Sequence, residues 1–123
     1  MIRGIVNANN REAIARLLVL GPAGRQRIEA VIDTGFDSWL SLPPALVALL
    51  RLPWRGRDSA FLADGSETFF DIYEGTVVWD RRRRRILVYE LDGAPLVGMA
   101  LLEGYELKVQ VRKRGKVAIG RLP

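Results

Sequence analysis

The chain has 123 residues, of which 49% are hydrophobic and 27% charged, with a net charge of +5. That is enough chain for one domain with its own core, and it is too apolar for a disordered one. It contains no histidine and no cysteine, which excludes Ser-His-Asp and Cys-His nucleophile systems, thiolate or imidazole zinc sites, and every disulfide.

The elements read in chain order as many short strands separated by turns. Ile2 to Ala8 and Glu12 to Leu20 are apolar, strand-like stretches, followed by the turn cluster Gly21-Pro22-Ala23-Gly24. Arg27 to Asp33 begins by alternating and becomes wholly apolar at Val31-Ile32, as a strand does when it enters a core, and it stops at Asp33-Thr34-Gly35. Leu42-Pro43-Pro44 opens a short helix over Ala45 to Arg51, with Pro44 suited to its first position and Pro53 closing it. Ser59 to Ala63 and Glu67 to Trp79 flank Asp64-Gly65, a two-residue hairpin signal.

Asp80 and the run Arg81 to Arg85 read as the next turn, a solvated loop of charge. Without that run 14 cations face 14 anions, so the basicity reads as local. Ile86 to Leu91 returns as a strand, Leu96-Val97-Gly98 is a short apolar strand, and Met99 to Glu103 makes one helical turn. Lys108 to Arg112 and Lys116 to Gly120 close the chain around the charged turn Lys113-Arg114-Gly115-Lys116. Trp39, Trp54 and Trp79 are expected in the core or at an interface. No repeat or second domain is visible, so residues 1–123 read as one mostly β domain with one or two short helices and a closed or barrel-like sheet. The first residues lack a signal-peptide core and no apolar run approaches a bilayer span. The expectation is a cytoplasmic protein with no membrane partner.

One feature points to chemistry. A carboxylate at the end of an apolar strand is an expensive place for an unpaired charge. Asp33 either caps a turn by accepting backbone N–H groups or does catalytic work, and the tripeptide alone leaves both open. No phosphate-binding glycine loop is present, and the spacing of Asp33, Asp37, Asp64 and Asp71 does not describe a metal site.

The wider order is more specific. An apolar strand into Asp33-Thr34-Gly35, a hairpin tipped by Asp64-Gly65, and Leu96-Val97-Gly98 running into a helix follow one another from about Glu12 to Val111. In this the chain resembles the retropepsin-like aspartic proteases, above all the single-lobe prokaryotic members, which share a Phe after the motif and a Leu-Pro further on (here Phe36 and Leu42-Pro43). The resemblance implies the closed-barrel acid-protease fold, with Asp33 the catalytic aspartate, Thr34 the hydroxyl that locks two catalytic loops together, and Gly35 the residue that lets them approach. It also implies a flap tip at Asp64 and Gly65, and a cleft bordered by Phe36 and Asp37. The chain departs from the family pattern in several places. Met99 and Ala100 stand where retroviral members have an Arg and an Asn or Asp, and the flap tip is poorer in glycine. Phe36 stands where many aspartic proteases have Ala or Ser, lining the cleft or obstructing it.

Peptide hydrolysis without metal, thiol or imidazole needs one group to activate water and another to protonate the leaving nitrogen. Two carboxylates sharing a proton do both. The chain holds a single Asp-Thr-Gly, so the resemblance implies a homodimer with one active site on its axis and an extended peptide as substrate, without cofactor or metal. Two alternatives remain. One is a catalytically silent peptide-binding or dimerisation module of the same fold, and the other a basic β-barrel that binds nucleic acid through Arg81 to Arg85.

Overall fold

The computed structural model describes residues 1–123. In chain order the elements are β1 (Ile2–Val6), β2 (Ala13–Gly21), β3 (Gly24–Ile32), β4 (Leu40–Leu42), α1 (Pro44–Leu50), β5 (Trp54–Phe61), β6 (Glu67–Trp79), β7 (Arg82–Glu90), β8 (Leu96–Val97), α2 (Met99–Leu102), β9 (Tyr105–Val109) and β10 (Lys116–Arg121). All ten strands join one sheet in the order β5-β6-β7-β4-β8-β3-β2-β1-β10-β9, and an added β6–β2 pairing closes six of them into a barrel. The closure is possible because β6 has 13 residues. Its first half pairs with β5, and its second half holds β7 on one side and β2 on the other.

Strand alternation fills the barrel. Leu17 and Val19 on β2, Ile28 and Ala30 on β3, Val77 and Trp79 on β6, and Ile86 and Val88 on β7 all point inwards and are buried. Leu40, Leu42, Val97 and Leu101 belong to the same cluster, which has 17 buried residues. Trp79 is its largest member, fully buried and edge-on to Tyr105 at 5.7 Å. Trp79→Ala is expected to lower the unfolding free energy by about 3–5 kcal/mol, measured by denaturant titration. Trp39 packs against this core, whereas Trp54 is 58% exposed and donates its indole N–H to Asp71 at 3.1 Å. Trp54 is therefore not a core residue.

Several expectations change. Arg82 to Arg85 do not form a turn; they open β7, paired with Thr76 to Trp79, and only Asp80 and Arg81 turn the chain. Both have positive φ, 52° and 66°, the backbone that a tight two-residue hairpin requires. The hairpin between β5 and β6 is longer than two residues. The Leu62 N–H bonds Ser66 C=O at 2.8 Å and the Gly65 N–H bonds Leu62 C=O at 2.9 Å, leaving a three-residue loop with Gly65 at φ 85°. Strand β4 lies where no element was expected, β5 begins at Trp54 instead of Ser59, and β9 ends at Val109 instead of running to Arg112.

Outside the barrel, Glu74 sits between Arg55 and Arg85, and these two guanidiniums, Arg55 first, hold its carboxyl below the usual glutamate range. A carboxyl whose value is depressed in the folded state stabilises the fold above its unfolded pKa, and that contribution is lost as pH falls through the folded value. Glu74→Gln is expected to flatten the acid limb of stability below about pH 4.3, read as the pH dependence of the thermal midpoint. No helix is long and apolar enough to cross a membrane.

Candidate active site

Asp33 stands one residue beyond β3, whose last two residues pair in parallel with β8 at Val31–Leu96 and Ile32–Val97. The buried residues of β3 are Ile28 and Ala30; Val31 and Ile32 are half-buried, Ile32 packing against the core, and the strand breaks at Asp33-Thr34-Gly35. Asp33 is partly buried, while Thr34 and Gly35 are exposed. The Gly35 N–H donates to Asp33 Oδ1 at 2.9 Å, and the Phe36 N–H donates to the Asp33 C=O at 3.1 Å. Asp33 is therefore a turn cap: one carboxylate oxygen accepts the loop's own backbone N–H, and the loop leaves the group partly exposed.

The loop is fastened to β8 and α2 along its whole length. Asp33 N–H donates to Val97 C=O at 2.9 Å, Met99 N–H to Phe36 C=O at 2.8 Å, Ala100 N–H to Ser38 C=O at 3.1 Å and Gly98 N–H to Trp39 C=O at 3.0 Å. Gly98 permits this closeness, since a Cβ there would lie 2.1 Å from Ser38 O and 2.7 Å from Phe36 O. Ser41, almost fully buried on β4, accepts the Leu96 N–H at 3.1 Å through its hydroxyl and braces β8 from the other side. Neither Ser38 nor Ser41 stood out in the sequence. Ser38 lies between Asp37 and Trp39 and Ser41 between two leucines, and the role of Ser41 shows only once β4 and β8 are side by side.

Phe36 does not float over the loop. Its ring packs edge-on to Tyr89 of β7 at 5.8 Å, and Tyr89 lies against Phe70 of β6 at 5.2 Å. An aromatic row thus links the Asp33 loop to the root of the β5–β6 hairpin. Asp37 is exposed and borders a concavity of about 640 Å³ together with Thr34, Met99 and Tyr105. At the hairpin tip, Asp64 accepts both the hydroxyl and the N–H of Ser66, and these two bonds hold its carboxyl below the ordinary aspartate range. Asp64 and Gly65 thus shape the tip, and no hydrogen bond joins that tip to the Asp33 loop. Phe61, Leu62 and Phe69 leave apolar side chains exposed around it. No three acidic side chains gather as metal ligands.

A closed six-stranded barrel with an Asp-Thr-Gly loop seated against a short parallel strand, and a long hairpin beside it, is the retropepsin-like acid-protease fold. Two solved structures share it. EIAV protease, in complex with an inhibitor, superposes with a TM-score of 0.55 at 16% identity over 77% of this chain and 88% of its own. A retropepsin-like aspartic protease from Rickettsia conorii gives a TM-score of 0.52 at 15% identity over 98% of this chain and 93% of its own. No protein-family model and no curated protein matches the chain.

Proposed function

We propose that the chain is an aspartic endopeptidase that works as a homodimer, with Asp33 of each copy contributing one carboxylate to a shared site. The observation that carries this reading is the Asp33 loop: a carboxylate held at the surface by its own backbone and by four hydrogen bonds to the Val97–Ala100 segment. A turn cap alone does not call for such fastening. Thr34 and Gly35 are exposed and Met99 is 48% exposed beside them, so the face around Asp33 is free to meet a second copy. Met99, at a place where the retroviral pattern has Arg, makes that contact apolar instead of ionic.

In the dimer the two Asp33 carboxyls share a proton, because like charges about 3 Å apart do not both ionise. The ionised one takes a proton from water as that water attacks the scissile carbonyl. The protonated one donates to the carbonyl oxygen, and a proton then passes to the amide nitrogen as the C–N bond breaks. The two hairpin tips close over an extended peptide and exclude bulk water. The test is cleavage of an unfolded protein at mildly acidic pH by the wild type and its loss in Asp33→Asn. Full activity in that variant would remove the assignment.

Nucleic-acid binding through Arg81 to Arg85 has less support. The run is not a free loop: Arg84 donates to the Leu101 C=O at 3.4 Å and Arg85 pairs with Glu74 at 2.7 Å.

A further inference from the structure

The outer wall of the barrel carries an arrangement that neither the core nor the Asp33 loop requires. Leu18 pairs with Arg27 on one side and with Val78 on the other, and Val78 pairs in turn with Arg83. Two residues along, Leu20 pairs with Arg25 and with Thr76, and Thr76 pairs with Arg85. Their chain neighbours Leu17, Val19 and Val77 are buried in the core, so strand alternation turns this whole set outwards. The arginines are exposed and the residues between them half-buried. An aliphatic strip thus runs between two arginine rails.

The dimensions follow from sheet geometry. Three strand steps separate the rails by about 14 Å, and the two arginines on each rail are about 7 Å apart. Concavities of about 490 Å³ beside Leu18 and Arg27, about 410 Å³ beside Leu18 and Arg25, and about 350 Å³ beside Leu20 and Arg85 lie along the strip. Arg85 is already paired with Glu74, but Arg25, Arg27 and Arg83 have no carboxylate within 4.0 Å. These are strands in the interior of the sheet, with their backbone groups already paired, so a partner meets side chains only.

We propose that this wall docks an acidic amphipathic helix of a partner protein, its apolar stripe on Leu18, Leu20 and Val78 and its flanking carboxylates on the two arginine rails. A helix is about 10–12 Å across with its side chains, which fits a trough about 14 Å wide. Charge complementarity selects an acidic partner. The aliphatic strip selects a protein over a nucleic acid, since a phosphate backbone has nothing to set against Leu18 and Val78, and no aromatic side chain stands among these eight positions to stack a base. The surface lies on the barrel wall and is independent of the protease reading.

The probe is a fluorescein-labelled peptide of about 18 residues with leucines at i, i+3, i+4 and i+7 and glutamates flanking that stripe, followed by anisotropy against the full chain. Saturable binding is expected, weakened at least about tenfold by Arg27→Glu/Arg83→Glu and also by Leu18→Gln. A scrambled peptide of the same composition should bind more weakly. Asp33→Asn should bind the peptide as the wild type does, which separates this surface from the proposed active site. Circular dichroism checks that the variants remain folded. No binding of the peptide, equal binding by Arg27→Glu/Arg83→Glu and wild type, or an oligothymidylate that binds more tightly and displaces the peptide would each overturn the proposal.

Discussion

Asp33→Asn is expected to lower the rate of peptide cleavage by at least about 10³-fold while leaving the fold and the proposed dimer intact. The size follows from the chemistry, because the substitution removes both the group that activates water and the group that donates a proton. The specificity follows from the loop. Asp33 Oδ1 accepts the Gly35 N–H at 2.9 Å, and an asparagine amide oxygen can accept the same bond. The backbone bonds of Asp33 to Val97 and of Phe36 to Met99 do not involve the side chain at all. Unfolding curves of the two proteins should therefore nearly coincide, and only the kinetic assay should separate them.

Gly98→Ala is expected to damage stability and activity together. The residue has φ −100°, a backbone any amino acid adopts, so the penalty is purely steric. A methyl group there would lie 2.1 Å from Ser38 O and 2.7 Å from both Phe36 O and Phe36 Cδ2. Two of those three atoms are backbone of the segment that carries Asp33, and backbone does not rotate aside as a side chain end does. Either Gly98 or the loop must shift, opening the hydrogen bonds of Gly98 to Trp39 and of Met99 to Phe36. The expected loss is about 3 kcal/mol or more in the unfolding free energy, with cleavage reduced well beyond the fraction unfolded. A thermal melt and a rate measured below the melting range separate the two effects. An unaltered rate at wild-type stability would mean that the close seating of the loop on β8 has no part in function.

How much was legible beforehand depends on how local each cause is. Val31-Ile32 followed by Asp33 announced itself, because an apolar run that ends in a carboxylate is unusual over even a few residues. Gly98 was visible as a glycine ending an apolar strand, but its reason is the Ser38 carbonyl 60 residues away, and only the folded chain supplies it. Strand β4 has three residues, too few for any period to register, and its burial comes from pairing with β7 and β8 at once. The arginine run misled for a related reason. Five identical charges hide alternation, so the sequence alone does not distinguish the outward Arg83 and Arg85 from Arg84, whose guanidinium reaches back to the Leu101 carbonyl. The same register that moved most of the run out of a turn also set Arg83 and Arg85 across two strands from Arg27 and Arg25, so much of the excess positive charge lies on the barrel wall. Phe36 was readable as bulk near the site; that the bulk is taken up by Tyr89 and Phe70 depends on β6 and β7 pairing.

The central claim is that one active site is built from two chains, and mixing chains tests it most directly. Wild-type protein equilibrated with a ninefold excess of Asp33→Asn places nearly every wild-type chain in a mixed dimer. If the site needs an Asp33 from each copy, activity per wild-type chain falls to about one-tenth of its value alone, the chance that a wild-type chain finds another. If activity per wild-type chain is unchanged by the excess, the site lies within a single chain, and the shared dyad is wrong.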